Sequence, residues 1–435
     1  MLAISLLAQQ RLKAQQVNSF SVKQAVDYAF KNSTKVKNAL LDIQIQKEVN
    51  REITAGALPK LSGTASLNNY LDIPVSLIPA EIFGGPPGTF QTVQFGTKYN
   101  ATGGLDITQT LFDGQVFVGL QARAASIQFY EKRKAITEEL INVNLQKIYY
   151  QLVVGKQQMT SIDANIERFA KLLNDTKEIY NQGFAEKLDI DKVSVQLNNL
   201  ETEKIKVQNQ LDAGNAALKY LMNMPQKETL VLTDSLTDEQ LQESLLNSEY
   251  QYTDRKEYQL LDVTKRLNEY NIKRYKLSYL PTLSAFGNYN KNAQRQTFDF
   301  FKGGQWFTTT LVGIRLNVPI FDGFAKKARV NQAKFVLQQT NNNVDDLRQS
   351  IDNDVAQAKF NISAALVTMD NQKKNMELAE KVFNTTKKKY EQGLGSNQEI
   401  YTAQTELKVA QNNYYGALYD AIIARIDFLK ATGKL

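Results

Sequence analysis

The chain has 435 residues, with 52 Lys and Arg against 45 Asp and Glu, and neither His nor Cys. Without Cys there is no disulfide framework, thiolate metal site or cysteine nucleophile; without His the commonest general base and metal ligand are missing, which argues against an enzyme and for no cofactor. The net charge of +7 is dispersed among acidic residues with no block of like sign, so solvated helix faces account for it and a nucleic-acid partner is not expected.

No run reaches the roughly 18 apolar residues of a membrane helix. Leu2 to Ala8 has the apolar character of a secretion-signal core, with Ala14 as a small residue before cleavage. Because no basic residue precedes it, residues 1–14 read either as a clipped signal or as the start of a helix. Ser21 to Gly56 is helical in pattern, capped by Ser21, with Val22, Ala25, Val26, Ala29, Val36, Ala39, Leu40, Ile43 and Ile45 forming an apolar side. The pattern stops at Leu58-Pro59. From Leu61 to Asn69 apolar and small polar residues alternate, the period of a strand. Asp72 to Thr97 holds four of the eight prolines and reads as a loop. Alternation returns from Tyr99 to Thr108 and ends at Leu111-Phe-Asp-Gly114.

From Gln115 to Tyr180 there is no Pro, and positions 141, 145, 148, 152, 155, 159, 162, 166, 169, 173, 176 and 180 step by four and three. This is a heptad seam in a helix about 100 Å long, so other long helices must lie beside it to bury the seam. Ile190, Val193, Leu197, Leu200, Val207, Leu211, Leu218 and Leu221 continue it after a tip, with Lys204 and Gly214 as exceptions. Residues 222–254 break the pattern and read as a small lateral insert with one short strand, Thr229 to Leu232, and one short helix.

The second half repeats the first. Leu280-Pro-Thr-Leu-Ser284 matches Leu58-Pro-Lys-Leu-Ser62, and Ile320-Phe-Asp-Gly323 matches Leu111-Phe-Asp-Gly114. The tip Tyr180-Asn-Gln-Gly183 matches Tyr390-Glu-Gln-Gly393. Phe112 and Tyr180 are 68 residues apart, Phe321 and Tyr390 are 69 apart, whereas the strand-connecting segment shortens from 53 residues (Pro59 to Phe112) to 40 (Pro281 to Phe321). Constant helices and a variable loop indicate a tandem duplication, over 15–221 and 255–435. Thr282 to Asn290 and Thr310 to Val318 supply the second pair of strands; Phe286 falls on the otherwise polar face of the former. The seam resumes at 351, 355, 358, 362, 365, 369, 376, 379, 383 and 390, and after the second tip at 400, 403, 407, 410, 414, 417, 421, 424 and 428.

The expected fold is mainly α, with duplicated long helical hairpins and four strands per chain. Four strands cannot close a barrel, since small membrane barrels use about eight. Strands apolar on one side and polar on the other suit a lipid-facing wall around a wet lumen. Leu105, Ile107, Val312, Ile314 and Leu316 are the expected lipid-facing residues. Three copies would bring twelve strands together.

The doubled Leu-Pro-x-Leu-Ser, Phe-Asp-Gly and Tyr-x-x-Gly elements, with the ending Ala431-Thr-Gly-Lys-Leu435, resemble the TolC family of outer-membrane efflux proteins from about Ser21 onward. The resemblance implies a homotrimer in the outer membrane whose twelve-stranded barrel continues as a periplasmic α-helical tunnel. It further implies a passive exit duct of an efflux or type I secretion system, working with a periplasmic adaptor (membrane fusion protein) and an inner-membrane pump of RND, ABC or MFS type. By position after the tip glycines, Asp189 and Glu399 match the family's acidic gate residues; Thr402 stands where a further acidic residue would fall. The plainer reading of both is a charge favoured at a helix N-terminus, worth about 0.3–1 kcal/mol. Gln182, Gly183, Phe184, Gln392, Gly393 and Leu394 would meet the adaptor, or are plain turns. Trp306 with Phe298, Phe300, Phe301 and Phe307 reads as an aromatic girdle or as loop packing. The rival reading is a soluble periplasmic coiled-coil adaptor or scaffold, which explains the heptads but not the paired strands.

Overall fold

The computed structural model describes residues 17–234 and 249–435. Leu2 to Ala8, Ala14 and the insert from 235 to 248 lie outside the described residues. Seven α-helices are present among them: α1 (Val22–Asn32), α2 (Thr34–Ala55), α3 (Gly114–Asn181), α4 (Lys187–Met222), α5 (Lys256–Leu277), α6 (Ala325–Glu391) and α7 (Asn397–Ala431). The strands are β1 (Val17–Phe20), β2 (Lys60–Asn69), β3 (Val75–Pro79), β4 (Phe90–Gln94), β5 (Tyr99–Phe112), β6 (Thr229–Leu232), β7 (Thr282–Arg295) and β8 (Phe307–Asn317). The chain divides into two units, one of Gln44–Ile127 with Thr264–Thr340 and one of the remaining described residues.

The first of these units is built on a four-stranded antiparallel sheet in the order β2-β5-β7-β8, with β2 and β8 at its edges. Each pair of strands is one repeat's contribution, and β5–β7 joins them. The register puts Leu61, Ile107, Gly287 and Val312 in one cross-strand row, with Gly63, Leu105, Tyr289 and Thr310 in the next row on that face. The opposite face carries Ser62, Asp106, Asn288 and Leu311, then Thr64, Gly104, Asn290 and Thr309, so it is mostly polar, with Leu311 and Phe286 among the exceptions. Gly104 permits this pairing, because a Cβ there would meet the Tyr289 carbonyl and the Asn290 side chain. Phe286, the aromatic on the polar face, lies over Gly313 and under the Arg315 guanidinium, 4.9 Å from its ring centre. A ring fits there because its cross-strand neighbour has no side chain.

The segment expected to be a loop, 72–97, instead contains the β3–β4 hairpin, with a 3-10 turn at Ala80–Phe83 between the strands. Its prolines sit where a two-stranded ribbon tolerates them: Pro79 ends β3 at the turn and Pro86-Pro87 lie outside the strands. The single helix expected over 21–56 is likewise divided. Ser33 is buried at 5% exposure with an extended-type ψ of 128°, and its N–H donates to the Ala29 carbonyl, ending α1 before α2 begins.

The second unit buries the two seams. Ile141, Leu145, Tyr149 and Leu152 of α3 pack with Ala25, Val26 and Ala29 of α1 and with Leu218 and Met222 of α4. Val143 and Val154 pack with Met369 of α6 and Leu418, Ala421 and Ile422 of α7. Both exceptions in the seam of α4 have a physical reason. A Cβ on Gly214 would lie 2.8 Å from Leu152 Cδ2, and one on Gly155 would lie 2.9 Å from Leu211 Cδ2. Each glycine is therefore the socket for a leucine of the other helix. Lys204 reaches across to Asp163 at 2.7 Å, at the half-exposed margin of the seam. β6 appears at Thr229–Leu232, the short strand expected in the insert, and pairs in parallel with β1. Tyr149 fastens this corner, its hydroxyl donating to the Phe20 carbonyl (2.9 Å) and accepting from the Asp234 N–H (3.3 Å).

Candidate functional site: the hairpin tips and the amphipathic sheet

Both tips are closed by the same local device. Gly183 has φ +83° and Gly393 has φ +72°, the left-handed region that a residue without Cβ enters without strain. The Gly183 N–H donates to the Tyr180 carbonyl (2.9 Å) and the Phe184 N–H to Ile179 (3.0 Å). In the second copy Gly393 donates to Tyr390 (3.0 Å) and Leu394 to Lys389 (2.9 Å). These paired bonds form the Schellman arrangement. The residue after each glycine, normally folded back on its helix, instead projects: Phe184 is 83% and Leu394 77% exposed. Gln182 and Gln392 are exposed beside them.

Asp189 and Glu399 both occupy the third position of the returning helix. The Asp189 carboxylate accepts the Glu186 N–H at 3.2 Å, and Glu399 offers its own N–H to Ser396 Oγ at 3.2 Å. Asp189 is half-buried and used as a cap, whereas the Glu399 carboxylate is exposed. Thr402 is exposed and turns its hydroxyl to the Gln398 carbonyl at 2.9 Å. The two hairpins meet just behind their tips. Phe169, Leu172, Val193 and Leu200 pack against Phe383, Ile400, Ala403 and Leu407. Thr176 donates to the Leu172 carbonyl and lies 3.3 Å from Asn397 Oδ1, and Gln196 donates to the Tyr401 hydroxyl at 3.0 Å.

Sequence reasoning missed the polar groups held in this bundle. The Tyr390 hydroxyl is buried and unpaired among the described residues. Burial pushes its phenol above the usual range, reinforced by the charges of Asp175 and Asp189. Farther along, Asn165 is buried and donates to Gln411 at 2.8 Å, while Ser161 and the Tyr415 hydroxyl are 2.7 Å apart. Asn165, Ser161, Gln411 and Tyr415 flank the heptad positions, so the seam gave no sign of them, whereas Tyr390 is itself a seam position whose polar end the periodicity does not reveal. Only a polar residue recurring beside the apolar stripe would have marked them.

The five residues expected to face lipid are brought to one side of the sheet and remain exposed among the described residues: Leu105, Ile107, Val312, Ile314 and Leu316 are 51, 46, 80, 70 and 61% exposed. Leu61 and Leu67 extend the same face. At the far end of β7 and β8, Phe298, Phe300, Phe301 and Trp306 form edge-to-face and tilted contacts, and Tyr99 packs on Phe298. The aromatics therefore pack on one another, yet Phe301 is almost wholly exposed.

This fold, an amphipathic four-stranded sheet with duplicated, glycine-tipped helical hairpins, is shared with solved structures that include the outer membrane channel CmeC of Campylobacter jejuni, with a TM-score of 0.74 at 17% identity over 95% of this chain and 85% of that one. Residues 261–434, which cover most of the second repeat, match the family described as outer membrane efflux protein, and the resemblance read from the repeated motifs is borne out. The chain is 20% identical to the outer membrane protein TolC of Vibrio cholerae, over 76% of each protein. It is also 20% identical to the protease secretion protein PrtF of Dickeya chrysanthemi, over 76% of this chain and 72% of that one. The crystal structure of CusC superposes with a TM-score of 0.76 at 16% identity, covering 95% of this chain and 92% of that one.

Proposed function

We propose that this chain is one third of a trimeric exit duct in the outer membrane, a passive conduit for a tripartite efflux or type I secretion system. One observation carries the reading: among the described residues the sheet has a largely apolar exposed face, a mostly polar reverse, and no partner strand at either edge. In water such a face is an aggregation surface; in a bilayer it is the outside of a barrel. Three copies joining β8 of one to β2 of the next give twelve strands with the Ser, Thr and Asn residues lining the lumen. The paired long helices then form the periplasmic tunnel.

In this reading the exposed Phe184 and Leu394, held by equivalent turns, are the contacts for a periplasmic adaptor, which couples the duct to an inner-membrane pump. Three copies each of Asp189 and Glu399 place negative charge at the tunnel's periplasmic end, where it attracts cations and opposes anions. The protein catalyses nothing; it holds a path open or shut. A soluble coiled-coil adaptor leaves the apolar sheet face without a purpose.

The test is extraction. The full chain should leave membranes only with detergent and then sediment as a trimer. Because the protein has no native cysteine, one cysteine placed on β2 and one on β8 should yield disulfide-linked dimers and trimers between protomers. A water-soluble monomer would overturn the proposal.

A further inference from the structure

The net charge of the protein has one source. Residues 264–340 carry 13 Lys and Arg against 3 Asp and Glu, whereas 44–127, the corresponding part of the first repeat, carry 5 against 6. Much of the excess flanks the sheet: Lys273, Arg274 and Lys276 at the end of α5, and Lys326, Lys327 and Arg329 at the start of α6. Cations suit the end of α5, whose carbonyls are the negative pole of the helix, but they oppose the positive pole at the start of α6. The first turn of α6 has no acidic residue to offset them. Asp322 satisfies one only, accepting the Lys326 N–H at 2.9 Å and lying 3.7 Å from its ammonium. Lys276, Lys327 and Arg329 are exposed and, among the described residues, form no ion pair or hydrogen bond with another side chain.

The apolar row of β8 leads directly to these charges. Val312, Ile314, Leu316, Val318 and Ile320 keep the two-residue period past the end of the strand, and Ile320 is 92% exposed. Phe321 and Phe324 follow, 76% and 67% exposed, with ring centres 5.5 Å apart. Phe324 has φ +64°, a left-handed conformation that a bulky side chain adopts only against strain, and among the described residues its ring meets Phe321 and is otherwise largely exposed. In the first repeat the equivalent Phe-Asp-Gly passes straight into α3, with Gly114 packed on Leu277.

We propose that this junction of β8, α5 and α6 is a binding site for anionic phospholipid, with Ile320, Phe321 and Phe324 in the acyl and interfacial layer and Lys276, Lys327 and Arg329 spread among the headgroup phosphates around it. An apolar row that ends in aromatics and then in unpaired cations matches the order of layers in a leaflet. A helix N-terminus bearing lysines is also a site for phosphate. The inference rests on the membrane reading above and adds to it a headgroup preference confined to the second repeat.

The experiment uses the full chain in non-ionic detergent, stripped of lipid and then offered phosphatidylglycerol or phosphatidylcholine, with retained lipid counted by native mass spectrometry. The wild type should retain phosphatidylglycerol in preference. K276Q/K327Q/R329Q should lose that preference by about fivefold per cation removed, with phosphatidylcholine unchanged. K276R/K327R should keep it, and so should K381Q/K388Q/K389Q, which removes as much charge from the far end of α6. Equal retention of the two lipids by the wild type overturns the proposal, as does an unaltered preference in K276Q/K327Q/R329Q or an equal loss in the α6 control. An altered anion conductance with lipid binding intact would also overturn it, placing these charges in the lumen. Failure of the membrane reading is seen separately, as a chain that stays dispersed without detergent.

Discussion

Asp189 shows how one side chain can serve structure and function together. Its carboxylate caps α4 by accepting the Glu186 N–H, so the bland reading of the residue is part of its chemistry. Asparagine can accept the same bond, and Glu399 caps nothing with its side chain. Asp189→Asn with Glu399→Gln should therefore leave trimer stability nearly unchanged while weakening cation block in single-channel recordings; unaltered block would remove the acidic ring from the mechanism. The tip glycines are the complementary case. Apart from the flanking residues, no heavy atom of the described residues lies within 4 Å of a Cβ built on Gly183 or Gly393, so a side chain has room and the cost is conformational, about 1–2 kcal/mol. Gly183→Gln should impair export while trimers persist, and loss of the trimer would make the glycine purely structural. Tyr149 offers a pH-dependent readout. Burial is the main cause that pushes its phenol up to about 12. A folded value raised above the unfolded one near 10 means its contribution is complete below about pH 10 and is lost as pH rises towards 12. The Tyr149→Phe protein should show a shallower fall in melting temperature across that window.

At the scale of elements, the strands and the seams obey different rules. The sheet depends on period two, so a single residue tests a whole face. Ile314→Asp or Leu316→Asp should block membrane assembly, with the protein accumulating in a soluble or aggregated fraction after fractionation; normal assembly would contradict a lipid-facing β8. Arg315, one position away, lies on the polar face over Phe286, and its replacement by Gln should be tolerated. The α3–α4 hairpin depends instead on sockets. Gly155→Leu collides with Leu211 and should destabilise the hairpin by about 1–3 kcal/mol, read as earlier thermal unfolding. The β3–β4 ribbon was missed because its strands are five residues each and prolines are common around them. Short alternation among turn residues looks the same whether or not a partner strand is present.

For the whole molecule, what was legible in the amino-acid order was whatever repeats. The heptad steps located both hairpins, the doubled tip and Phe-Asp-Gly elements disclosed the duplication, and alternation located the four strands of the sheet. These depend on local periodicity, which a chain carries without folding. Tertiary structure alone decided the rest. The register put Leu61, Ile107 and Val312 in one row and matched Phe286 with Gly313, because cross-strand partners come from distant segments. The break at Ser33, the leucine-in-glycine sockets and the unpaired Tyr390 hydroxyl likewise exist only once helices press together. Side-chain alternation and helical pitch are properties of a segment, whereas burial and pairing are properties of its neighbours, and a linear order of residues names the first without the second.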